Sequence, residues 1–589
     1  MPKKHRIHSP ARLTGGLAAS FAGLALIASP ASASSINWSG ATGGTWSTGT
    51  NWSGSATPTS ADDVTILGPS NVAGALTINE DTAAFANSLN FTDTAAVTVN
   101  NTTSGANQSI TVGNGITTGT GAVTIGSATA LQNVNIVLGG SQTWNVGSGG
   151  LTVANAVSGT GAALTKSGSG TLTLSSSNSY DGGTTIGAGT VIIGNAGALG
   201  SGSVTMNGGA LRAATAGGAV ASNFIIGSGS NTLSESGTNN FNFTGTLSGA
   251  GNVTFGGGGG NASIGLAFTS NTMTSGTITL SGGTTGISRI RTAASSNSAV
   301  AWQINGGSTE VSGTFNFGSF NGAGNFAAFN GNSGNTIYSV GALNTDATYS
   351  GILSSTGTNS SLSVTKVGTG TWTLSGANTY TKAGTGATPT TTVSAGKLQF
   401  SNTTGSAAGA SVIAVSGGTS ATLGGTGSAT GATTVTNGSR IAPGTITTAS
   451  NFGSAGTLTL SGGLTLTNAN MDFDLSTTAG GSNDKVALST AALSFSTLNF
   501  NFSGTTLDTS TPYTLISTSG SLTSGDVTTI TSDFTNVTGG SYLATYSFLS
   551  GTGLQVSFSA IPESHEFAIA IVGLLCVMVV IRRRKLEGN

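Results

Sequence analysis

The sequence predicts an all-β chain wound as a right-handed parallel β-helix, and three observations carry that expectation. Apolar-Thr-apolar triplets recur between Gly-, Ser- and Asn-rich bends, glycine fills 95 of 589 positions, and only 6% of residues are charged. Alternation with period two marks short strands with one buried face. Proline occupies just 9 positions, which excludes collagen and Pro-rich linkers. A net charge of -1 with 37% hydrophobic residues excludes an open, disordered chain, which needs the opposite balance.

Residues 1–33 read as a secretory signal peptide. Lys3, Lys4, Arg6 and Arg12 precede the apolar stretch Leu17 to Ile27, and Ala31-Ser32-Ala33 is a small-x-small site that signal peptidase holds extended. That apolar stretch is too short to span a bilayer, so the mature chain is expected to begin at Ser34.

Residues 34–163 are expected to form an N-terminal cap and the first coils. Trp38, Trp46 and Trp52 cluster there. Exposed rings would stack on sugar faces, whereas buried rings would plug the end of a solenoid whose first coil has no neighbour below it. The plug is the expectation, because a solenoid must be capped.

The triplets Val97-Thr98-Val99, Val123-Thr124-Ile125, Leu151-Thr152-Val153, Val204-Thr205-Met206, Val253-Thr254-Phe255 and Leu464-Thr465-Leu466 predict strands with threonine outward. A tighter repeat, Gly-Thr-x-Thr-Leu-Ser, begins at Gly170, Gly276, Gly370 and Gly456, with Leu172, Ile278, Trp372 and Leu458 at the variable position. Strands this short are unstable alone, and stacking them coil on coil, about 20 to 25 residues each, gives internal apolar rows and outward threonine ladders. A string of β-sandwiches is the rival, disfavoured because sandwich strands run longer and meet at clearer hairpin turns.

Within 164–470 two segments share a pattern. The first runs Leu164-Thr165-Lys166 to Leu174, then Asn178-Ser179-Tyr180-Asp181-Gly182-Gly183-Thr184-Thr185-Ile186 and Ala188-Gly189-Thr190-Val191. The second runs Val364-Thr365-Lys366 to Leu374, then Ser375-Gly376-Ala377-Asn378-Thr379-Tyr380, and departs at Lys382-Ala383 before Ala395-Gly396-Lys397-Leu398. This pattern resembles the autotransporter-associated β-strand repeat, a resemblance that implies an extracellular β-helical passenger-like protein and names no substrate. Residues 471–561 read as a further β-rich segment. Nothing after Asn470 has the run of ~10-residue amphipathic strands that an outer-membrane barrel needs, so another export route is expected.

Residues 562–589 read as a sorting address. Phe567 to Ile581 is an uncharged 15-residue run, read as a short C-terminal membrane helix, followed by Arg582, Arg583, Arg584 and Lys585, a basic membrane stop that stays cytoplasmic by the positive-inside rule. With Pro562-Glu563-Ser564-His565-Glu566 before it, the tail resembles a PEP-CTERM sorting signal. That resemblance implies an exosortase-like sorting enzyme as partner, an inner-membrane intermediate and a Gram-negative cell surface. Ser564 stands where a second proline is usual, so sorting is implied more firmly than cleavage.

The chemistry is bounded by what the body lacks. His5, His8, His565 and Cys576 all lie outside residues 34–561, which removes Ser-His-Asp and Cys-His catalysis, His/Cys zinc sites, haem and disulfides from that span. Its 9 basic against 15 acidic residues exclude electrostatic nucleic-acid binding. The best carboxylate pair is Asp472 and Asp474, expected on one strand face about 7 Å apart, with Lys485 the nearest basic residue in sequence and Asp484 with Asn483 as a calcium candidate. Asp62-Asp63 and Glu80-Asp81 suit turns, and all of these acids are expected to be solvated.

No catalytic, cofactor or metal residue is therefore assigned. The expected function is an exported structural or adhesive surface solenoid in contact with exopolysaccharide or neighbouring surface proteins. A polysaccharide-active β-helical enzyme, lyase or glycosidase, is the alternative.

Overall fold

The computed structural model describes residues 33–561 except 68–74, 103–106, 130–132, 215–217, 236–240, 258–262, 283–287, 329–333, 358–359, 383, 385, 521, 525–529 and 550–552. Nearly every regular element is a short strand, and the described helical segments are three 3₁₀ turns at Gly49–Asn51, Ala293–Ser295 and Gly418–Ser420. No helix among the described residues is long and apolar enough to cross a membrane. The signal segment up to Ser32, the sorting motif Pro562, Glu563, Ser564, the apolar run Phe567 to Ile581 expected as a membrane helix and the stop Arg582 to Lys585 lie outside the described residues.

Strands pair in parallel, each with the strand one turn earlier and one turn later. Thr184 pairs with Val204 and Val204 with Phe224, turns of 20 residues, whereas Thr433 pairs with Leu464, a turn of 31. The longest hydrogen-bonded ladder joins 21 strands, from Gly44–Thr45 to Leu522–Ser524. Stacking supplies what a short strand lacks alone, a backbone partner on both edges and a buried row on one face. The 21-strand ladder carries the stack through the middle of the chain, where Phe255 pairs with Leu280, Leu280 with Ile304 and Tyr338 with Val364.

The coil has three faces. The first begins with Ser34–Asn37 and the second with Gly44–Thr45, while Gly218–Val220 through Leu353–Ser355 form part of the third. A corner element hands the ladders on in mid-rod. In the nine-residue strand Gly313–Asn321, Gly313 to Phe317 pair with Thr336 to Val340, whereas Ser319 to Asn321 pair with Ala301 to Gln303. The strand thus bends around an edge and belongs to two faces at once. Gly318 sits at the bend, where a Cβ would come within 2.4 Å of the Val300 carbonyl oxygen.

The interior is the expected stack of apolar rows. Leu172, Leu174, Ile278, Leu280, Trp372, Leu374, Leu458 and Leu460 are all buried, so the four Gly-Thr-x-Thr-Leu-Ser copies insert the same two positions. Outside, Thr77, Thr98, Thr124, Thr152 and Thr173 form one continuous ladder across five turns. The mid-rod core is aromatic, with Phe320 against Tyr349 and Phe317 at centroid distances of 4.9 Å. Trp38, Trp46 and Trp52 are buried edge-to-face at 4.8 and 4.7 Å, and the Trp52 indole donates to the Trp46 carbonyl, so they plug the first turn. At the far end the parallel order stops: Gly553–Ile561 runs antiparallel to both Tyr513–Ser517 and Ser541–Leu549.

Candidate functional site

Lys166 and Lys366, which open the two similar segments, are buried rather than solvated. Each lies in the last two residues of a strand and donates its ammonium to three carbonyl oxygens: Ser167, Gly168 and Ala188 for Lys166, and Val367, Gly368 and Ala395 for Lys366. The third acceptor lies one turn further on, so each lysine ties consecutive coils together. Desolvation pushes both ammonium groups down to about 8. Asn178 and Asn378 do similar work, accepting from Val157 N and Leu353 N and donating to Ala198 and Ala407 carbonyls. Tyr180 and Tyr380 bond Thr184 and Thr391 inside the coil. The chemistry-bearing residues of the repeat therefore serve the stack.

The polar concentration that faces outward lies near the C-terminal end. Asp472, Asn501 and Asp533 form one column on successive turns, with Asp474, Ser503 and Asn536 in the next. Asp472 is 1% exposed, contrary to its expected solvation, because Arg440 Nη1 donates to both its oxygens at 2.8 and 3.1 Å and the Asn451 and Asn501 amides donate as well. Arg440, one turn below, is thus the basic partner. Lys485 sits on the third face beside Thr457, away from this pair.

A strap between Gly444 and Gly456 arches over this region. Its Thr448 reaches Asp346 and Thr371, Ile446 N donates to Gln399 Oε1 at 2.7 Å, and Lys397 donates to the Thr447 carbonyl. The returning end is held by two carboxylates, with Gly453 N donating to Asp474 at 2.6 Å and Gly456 N to Asp484 at 2.7 Å. Asp484 is fully buried and also accepts from Asp474 N, and desolvation pushes its carboxyl up to about 8. Desolvation likewise raises Asp474 above the ordinary carboxylate range. Asn483, considered with Asp484 as a calcium candidate, accepts from Ser476 N and donates to Thr478, Ala479 and Gly481 carbonyls, so it folds its own loop. No group of three or more metal-ligating side chains is assembled among the described residues.

Two other acidic pairs also depart from expectation. Asp62 and Asp63 lie in the strand Asp62–Ile66, not a turn, where they accept from Thr59 and from Asn87 and Ser88 respectively. Glu80 is fully buried, with neither carboxyl oxygen hydrogen-bonded among the described residues, and burial pushes it up to about 9. Adjacent Asp81 stays outside and accepts from Ser47.

The column geometry does not place two free carboxylates around a scissile bond. Asp472 is committed to Arg440 and two amides, and Asp474 to the strap backbone. The arrangement holds a wall in place and leaves polar groups lining an open groove.

Comparison with known proteins bears on the repeated segments. Residues 164–193 and 364–400 match the passenger-associated-transport-repeat family, the two segments in which Lys166 and Lys366 tie adjacent turns. The chain therefore carries autotransporter-associated repeats in a parallel β-solenoid. It is similar to the BmaC autotransporter adhesin of Brucella suis biovar 1 (strain 1330), 37% identical over 145 residues, which is 23% of this chain and 4% of that protein. The chain thus spans a small fraction of the length of the curated relative it matches.

Proposed function

We propose that this chain is an exported cell-surface structural or adhesive β-solenoid that contacts exopolysaccharide or neighbouring surface proteins. The observation that carries the proposal is the construction of the passenger-associated repeats. Their lysine and asparagine are spent on joining coils and their tyrosine on a bond inside the coil, and the outer side is left with ladders of threonine, serine and asparagine. Such a rod offers many weak hydroxyl and amide contacts, which add through effective concentration. The relative's name, an adhesin, supports the same reading.

The proposal includes the two ends. Signal peptidase cuts after Ala33, recognising Ala31 and Ala33, and leaves Ser34 to begin the first strand. The Pro562-Glu563-Ser564 tail and its Arg582-Arg583-Arg584-Lys585 stop hold a membrane-anchored intermediate for an exosortase-like enzyme. The test is surface display. Protease added to intact cells should digest the chain, its intact mass should start at Ser34, and deleting residues 567–585 should release it to the medium. Retention of Met1 on surface material, or a truncated chain as cell-bound as the full one, contradicts the proposal.

A further inference from the structure

We infer that the groove between the strap and the last turns of the second face is a binding site for a neutral oligosaccharide. This names the ligand class and the place of the adhesive contact proposed above, and it rests on that reading.

The groove is an open cavity of about 370 Å³, within the range of small-ligand sites. Its floor is the Asp472, Asn501, Asp533 column with Arg440 below and Asn536 beside it, and its wall is strap residues Ala449 to Phe452. Three turns at ~4.8 Å spacing span a length comparable to two linked pyranose rings. The lining is matched to hydroxyls. Each asparagine amide offers donors and an acceptor on one planar group, Arg440 offers further donors with a quarter of its side chain exposed, and exposed Asp533 offers acceptor oxygen. Phe452 is half-buried at the rim and supplies one apolar face, the usual complement to a few oriented polar groups.

Rigidity separates this groove from the ordinary outward ladders. The floor side chain Asp472 is buried and fixed by Arg440, Asn451 and Asn501. The wall is pinned to the body at Asp346, Gln399, Asp474 and Asp484, so little ordering remains to be done on binding. Charge decides the sugar class. Among the lining residues one arginine faces two carboxylates, Asp472 and Asp533, and Lys397 stands near Asp472 outside the lining, so the groove has no excess of positive charge to hold uronates or sulfated sugars, while neutral hexoses are unopposed.

The test is titration of the full chain with neutral gluco-, galacto- and manno-oligosaccharides of two to six units, and with oligogalacturonate for comparison. At least one neutral series should bind, and affinity should rise from one to two units and then level off. Asn536→Ala and Phe452→Ala, both at the rim and outside the core, should each weaken binding about tenfold or more, whereas Thr165→Ala on the first face should leave it unchanged. Binding to no neutral series, stronger binding to oligogalacturonate, or affinity unchanged from the unmodified chain in both rim variants overturns the inference. Co-sedimentation with exopolymer that survives Asn536→Ala while oligosaccharide affinity falls preserves the adhesive rod and the site separately. Oligosaccharide binding without any attachment to cells or polymer removes the adhesive reading alone.

Discussion

Lys166 and Lys366 sit where a long side chain can stop a corner's carbonyl oxygens from being buried without partners. Removing the ammonium leaves those oxygens unmatched, at roughly 1–3 kcal/mol for a buried acceptor. Lys166→Met should therefore speed amide hydrogen exchange in the turns around Ser167 to Gly170 and Ala188, with little change at the distant Trp plug. Glycine at these corners answers to the same closeness: a Cβ on Gly170 would lie 1.7 Å from the Gly147 carbonyl oxygen of the preceding turn. Gly170→Ala should destabilise that turn by about 1–3 kcal/mol, read in the same exchange experiment. Buried acids set a pH dependence. Glu80 and Asp484 are held up to about 9 and about 8 in the fold, above their unfolded values, so both favour the folded state fully at low pH. That contribution fades as pH rises from about 4 through those values, whereas Lys166 and Lys366, pushed down to about 8, add stability only above it. Thermal unfolding should thus occur at higher temperature at pH 5 than at pH 7.5, and Glu80→Gln with Asp484→Asn should flatten the difference.

The strands were legible in the sequence because their signal is local. Period-two alternation in Thr171–Leu174 or Thr457–Leu460 needs only neighbouring residues to reveal which side chains go in, and the structure buries those side chains. The strap was not legible, since its contacts join residues 77 and 102 positions apart and its sequence, Gly444 to Gly456, looks like any other loop. The same gap hid the role of Asp474 and Asp484, which read as surface acids until the strap's backbone amides were placed on them. Glu80 misled for a different reason: an acid beside an acid reads as solvated, yet it follows the inward Leu76 and Ile78 and sits inside the coil one residue past the strand. The strap's anchoring is testable as an element. Asp484→Ala should free Gly456 N and Asp474 N together and raise protease sensitivity within 444–456, leaving the core turns protected.

As a whole the molecule is a stack in which each turn contacts chiefly its neighbours, closed by a tryptophan plug at one end and an antiparallel hairpin at the other. Such architecture makes stability approximately a sum of turn and interface contributions, so damage stays local. It also multiplies surface: the threonine ladder of the second face and the groove at its far end belong to one continuous stack, and a polymer that binds as proposed would meet several turns at once. The short stretch shared with the Brucella adhesin lies in a chain of very different length, so what the likeness supports is the manner of building rather than a named target. The most direct measurement is co-sedimentation of the full chain with the cell's own exopolymer, with and without EDTA, alongside an assay for new reducing ends and unsaturated products. The account predicts that the chain pellets with the polymer, that EDTA changes nothing, and that the polymer is left uncut. Failure to pellet would contradict the adhesive rod, and cleavage products that vanish in the Asp472→Asn, Asp474→Asn double variant would make the chain an enzyme.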